Sequence, residues 1–96
     1  MSGEGLIKRI GVGVPLRIST ATTTVVKTGK GILYRIIIGT TAAGAITIYD
    51  NTAASGTVVA VLKASIGEGS YAFGTIFQNG LTVVTAAESD ITVVYE

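Results

Sequence analysis

The sequence predicts an all-β fold, a small antiparallel β-sandwich or jelly-roll-like barrel of about eight short strands with an extended N-terminal arm. Three observations predict it. β-Branched residues dominate the apolar runs, breaks containing glycine recur about every 8 to 12 residues, and no long stretch carries the apolar period of a helix. At 96 residues the chain has the length of one domain, with an arm expected over 1–15 and a single β-sandwich domain over 16–96.

The elements follow in order. Residues 6–14 read as an extended arm or strand ended by Pro15, which cannot donate to a ladder. Residues 16–20 and 23–28 are two short strands, followed by a hairpin turn at Gly29, Lys30 and Gly31. Residues 32–39 form the most apolar strand and 40–44 its connection. Residues 45–49 alternate between apolar and polar, and the loop over 50–56 opens with Asp50, Asn51 and Thr52, whose side chains satisfy their own backbone two residues on. Residues 57–64 contain Val58, Val59 and Val61, a β-branched cluster that favours a strand over a helix. Residues 71–77 and 81–85 flank Asn79-Gly80, a pair suited to positive φ at both centres of a tight turn, so 71–85 predicts a hairpin. Residues 91–95 close the set.

Several of these strands are apolar on both faces. Tyr34, Ile36 and Ile38 alternate with Leu33 and Ile37 beside Arg35; Val59 and Val61 oppose Val58, Ala60 and Leu62; Ile91, Val93 and Tyr95 oppose Thr92 and Val94. A two-layer domain buries one face of each sheet, so the other face is expected to lie against a partner. Composition agrees, since hydrophobic residues make up 48% of the chain and charged residues 14%, against about 25% in an ordinary domain.

Charge is unevenly spread. Residues 1–35 hold Lys8, Arg9, Arg17, Lys27, Lys30 and Arg35 against Glu4, six minus one or +5; residues 36–96 hold Lys63 against Asp50, Glu68, Glu88, Asp90 and Glu96, one minus five or −4. A basic N-terminal segment docking on an acidic neighbour would use that asymmetry. The candidate protein interface is therefore Leu6, Ile7, Lys8, Arg9 and Ile10 of the arm, with Arg17, Arg35 and Ile37.

No membrane partner is expected. The longest charge-free stretch, 69–87, is interrupted by Gln78, Asn79 and Gly80, and the N-terminal residues lack the pattern of a secretory signal. Catalysis finds no footing, because the chain has neither His nor Cys and its acids fall in turns or at the chain end. Glu88 and Asp90 around Ser89 offer two acids where calcium takes six to eight oxygens. In the run from Lys27 to Gly31 a phosphate loop would need glycine in place of Thr24 and a hydroxyl in place of Gly31. Tyr71, Phe73 and Phe77 share one strand face, but no basic residues interleave with them, so core packing is expected and not specific nucleic-acid binding. No cofactor is implied.

Five segments carry a resemblance. Gly31-Ile32-Leu33-Tyr34, Thr41-Ala42-Ala43-Gly44, the run Ile46-Thr47-Ile48-Tyr49-Asp50-Asn51-Thr52-Ala53-Ala54-Ser55-Gly56-Thr57, and Gly80-Leu81-Thr82-Val83-Val84-Thr85 with Asp90-Ile91-Thr92-Val93-Val94-Tyr95 resemble small virion structural proteins of tailed bacteriophages. The resemblance covers about residues 23–96. It implies a β-sandwich used as a capsid decoration (cement) protein, homotrimeric, bound to the major capsid protein or another virion protein, and found in the virion after assembly in the host bacterial cytoplasm. A neck, tail or fibre accessory is the structural alternative. A carbohydrate-binding or adhesin module is the alternative of another class, and would use Tyr49, Tyr71 and Tyr95 if they are exposed.

Overall fold

The computed structural model describes residues 13–96. They form eight strands: β1 (Val14–Ile18), β2 (Thr22–Thr28), β3 (Gly31–Thr40), β4 (Ile46–Asp50), β5 (Thr57–Leu62), β6 (Gly69–Phe77), β7 (Gly80–Thr85) and β8 (Asp90–Tyr95). All pairings are antiparallel, in two four-stranded sheets: sheet A in the order β1-β8-β3-β6 and sheet B in the order β2-β7-β4-β5. Every strand starts and ends within two residues of where its β-branched run places it. Val14 and Pro15, expected in the arm, instead open β1 and pair with Tyr95 and Val94. β1 is an edge strand, and a missing N–H is tolerated there. The rest of the expected arm, with Leu6, Ile7, Lys8, Arg9 and Ile10, lies outside the described residues.

The pairing is nested. β1 pairs with β8, β2 with β7, β3 with β6 and β4 with β5, and the ladders β3–β8 and β4–β7 join these pairs into sheets. Such nesting is that of one long hairpin, tipped by the β4–β5 link and folded across itself. Only that link stays within a sheet; every other consecutive pair of strands changes sheet.

Two expected hairpins are thereby corrected. β6 and β7 flank Asn79-Gly80 but belong to different sheets, as do β2 and β3 on either side of Gly29-Lys30-Gly31. Both links are crossovers, and the Gly29 N–H donates to the Asn79 carbonyl at 3.0 Å, tying one to the other. Gly29 supplies a positive φ of 91°, but Gly80 does not; a Cβ on Gly80 would lie 2.8 Å from Thr52 Cγ2 and 3.0 Å from the Asn51 and Lys27 carbonyl oxygens. Glycine stands at position 80 for close approach.

One buried cluster joins Ile18, Leu33, Ile36, Ile38, Phe77, Ile91 and Val93 of sheet A to Ile46, Ile48, Leu62, Leu81 and Val83 of sheet B. Each such side chain, taken from water, contributes about 1.5–3 kcal/mol. Tyr71, Phe73 and Tyr95 pack against the cluster. Bulges decide which apolar residues reach it. Register shifts between Leu33 and Arg35 put Leu33, Ile36 and Ile38 in the core, where unbroken alternation groups Tyr34 with Ile36 and Ile38. In β5, Tyr49 pairs with Val58 and Ile48 with Ala60, leaving Val59 as an extra residue. Ala60 and Leu62 then face the core side while Val58 and Val61 both point outward, a regrouping of the alternation expected there.

Candidate functional site

No ligand-sized cavity opens among the described residues, and each sheet turns one side away from the core. On sheet A, cross-strand pairing aligns Arg17, Thr92, Ile37 and Ser70 in one row and Pro15, Val94, Arg35 and Ala72 in the next. All three candidate interface residues that fall among the described ones, Arg17, Arg35 and Ile37, thus meet on one face. Ile76 of β6, 57% exposed, is a further apolar residue there.

Arg17 is already engaged. Its Nε donates to Asp90 Oδ1 at 2.9 Å and its Nη2 to Asp90 Oδ2 at 2.7 Å, a bidentate pair. The hydrogen bonds, with the attraction between the charges, raise the Arg17 guanidinium above its ordinary range and hold the Asp90 carboxyl below its own. Arg35 is exposed and makes no ion pair among the described residues. The face therefore presents one neutralised pair and one open cation amid Ile37, Val94 and Ala72.

On sheet B the two rows are Thr23, Val84, Thr47 and Val61, then Val25, Thr82, Tyr49 and Val58. Neither row holds a charge. Val25, Val58 and Val61 are 48%, 47% and 59% exposed, while Thr82 is fully buried and donates its hydroxyl to the Asn51 carbonyl at 2.7 Å. Of these, Val25 was not singled out by the sequence. Only its pairing with Thr82, ahead of the register shift between Val25 and Lys27, shows that it points outward while Val26 packs against the core.

Asp50 organises the end of sheet B. Its Oδ1 accepts the Asn79 N–H at 2.8 Å and its Oδ2 the Gln78 N–H at 2.9 Å, and these bonds hold its carboxyl below the ordinary range. It therefore fastens the β6–β7 crossover, while Asn51 alone makes the local turn, accepting the Thr52 N–H at 2.8 Å and donating to the Ser55 carbonyl at 2.9 Å. Tyr34 of β3 donates its hydroxyl to Oε1 of Glu96, just past the end of β8, at 2.5 Å, which raises the Tyr34 pKa.

Among the described residues no three acidic side chains converge as a metal site would require. The tyrosines that could stack on a sugar are engaged elsewhere: Tyr71 and Tyr95 pack against the core, Tyr71 also donates to the Gly67 carbonyl at 2.6 Å, and Tyr49 is half-buried. Compared with known proteins, the chain matches no family model, no curated protein and no solved structure.

Proposed function

We propose that this chain is a structural module of a tailed-bacteriophage particle, a capsid decoration (cement) protein that binds and stabilises the head shell as a homo-oligomer and performs no chemistry. Its finer architecture in this reading is a β-sandwich of the jelly-roll kind, which the nested pairing of first strand with last supports. The observation that carries the reading is the apolar character of both outward faces. Val25, Ile37, Val58, Val61 and Ile76 are all more than a third exposed in a chain of 96 residues. A surface of this kind is one that partners cover. Fold alone sets no function, and the phage context rests on the segment resemblance over residues 23–96.

The sheet A face suits the shell. It sets the Arg35 cation among apolar neighbours, the mixture of arginine and apolar contact that non-obligate interfaces favour. Head shells stripped of accessory proteins, mixed with the purified chain and sedimented, test the reading. Saturable co-sedimentation is expected, weakened about tenfold or more by Arg35→Glu with Ile37→Asp. A chain that stays in the supernatant with shells sinks the decoration reading. Co-sedimentation with tails instead moves the same module to the neck, tail or fibre.

A further inference from the structure

Each sheet has two edge strands, so the described domain offers four rows of unpaired backbone donors and acceptors. Natural proteins protect such edges with proline, charge, glycine kinks and bulges. β1 carries Pro15 and the Arg17–Asp90 pair. β2 carries Lys27 and a register shift beside it. β6 carries Gly69 and Gly74, at φ of 140° and 60°. β5, Thr-Val-Val-Ala-Val-Leu, has no proline, no glycine and no charge, its one irregularity being the bulge at Val59, and its outward Val58 and Val61 are 47% and 59% exposed. Its composition is that of a segment that readily adds another strand.

We infer that β5 is a self-association edge, along which a second copy of this chain pairs its own β5 antiparallel about a two-fold axis and extends sheet B into a continuous eight-stranded sheet. A heterologous contact would need a second edge free of proline, charge and positive-φ glycine to receive β5, and each of the other three edges carries one of these. A two-fold contact needs β5 alone.

The strand's own sequence is complementary in this arrangement. When Val59 pairs with Ala60 of the second copy, Val58 falls opposite Val61 of that copy and Val61 opposite its Val58. The bulge at Val59 matters here, because it turns both of these valines, three residues apart, to the same outward side. Each half-exposed valine thereby covers its counterpart as a cross-strand pair. Lys63 is the charge that immediately follows β5. Antiparallel pairing in this register separates the two copies of Lys63 by seven strand residues, about 24 Å, well beyond the screening distance at physiological salt, whereas parallel pairing sets them side by side.

The contact requires no other protein, so its failure leaves attachment to a particle untouched. Native mass spectrometry of the full chain is expected to find a species of twice the 9.8 kDa chain mass. Val61→Lys and Val58→Lys are each expected to abolish it. Ile76→Lys, at a matched 57% exposure on the β6 edge, is expected to leave it intact. Amide exchange in 57–62 is expected to slow as protein concentration rises through the range in which the dimer forms, which reads the same edge without any substitution and so covers a variant that fails to fold. A wild-type monomer overturns the inference. So does a dimer or trimer indifferent to both β5 variants, one lost equally in Ile76→Lys, or exchange in β5 that does not change with concentration.

Discussion

The outward faces of the two sheets are built from the same kinds of residue, yet they differ in charge. Sheet A places Arg17, Asp90 and Arg35 among its apolar residues, whereas the two central rows of sheet B contain only Val, Thr and Tyr. The difference reaches the edges. Both edges of sheet A are guarded, by Pro15 on β1 and by positive-φ glycines on β6, while sheet B leaves β5 without charge or proline. In the function proposed above, the charged face would meet a partner recognised partly by charge, with an attachment that weakens in salt, and the uncharged sheet would meet an identical subunit. A small domain can separate two contacts in this way because a sheet has two edges and one outward side, each set by different residues.

The largest effects test where the contrast between the sheets stops, which is the core they share. Phe77→Ala in sheet A is expected to cost about 3–5 kcal/mol and Leu81→Ala in sheet B about 2–5 kcal/mol, read by denaturant unfolding of the full chain. Both side chains are fully buried in the same cluster. Two separate transitions, or one sheet that tolerates its truncation, would break the picture of a single core. Next comes the crossover that passes from one sheet to the other. Gly80→Ala, which sets a methyl group against Thr52 and two carbonyl oxygens, is expected to cost about 1–3 kcal/mol. Asp50→Ala, which leaves the Gln78 and Asn79 N–H groups to water, is expected to cost about 1–2 kcal/mol.

Acid then separates the sheets more finely. Asp50 and Asp90 both have folded-state pKa values below the ordinary carboxylate range. Their contribution is complete above that range and is lost as pH falls through the lowered values, so thermal stability drops on acidification. Asp50→Asn should flatten that drop more than Asp90→Asn, because Asp90 and Arg17 form their pair at the surface, where solvent screens it. Equal flattening would show that the sheet A pair counts for as much as the sheet B crossover. The smallest effect expected is a change in unfolding midpoint on adding salt to the wild-type chain, since Arg17–Asp90 is the one ion pair among the described residues.

The strands themselves were legible because their signal is local. β-Branched runs between glycine breaks located all eight, and Tyr71, Phe73 and Phe77 face inward on β6 as their spacing predicts. The grouping of Arg35 with Ile37 on an outward face also followed from alternation, and Arg17 joins them through pairing with Thr92. Partner choice was illegible where local turn chemistry pointed to a nearer strand. Asn79-Gly80 has the composition of a hairpin turn, but β6 and β7 lie in opposite sheets, and a carboxylate 28 residues away in sequence, that of Asp50, holds the crossover.

Residue pattern was enough to read that the chain is all-β, where its strands lie, and that several strands carry apolar residues on both faces. Tertiary structure alone decided the nested strand order, which edges are guarded, and which of two neighbouring valines looks out. The reason is physical. Strand propensity acts within a few residues, whereas a bulge such as that at Val59 is stabilised only by register against another strand, and one added residue turns every later side chain to the opposite face.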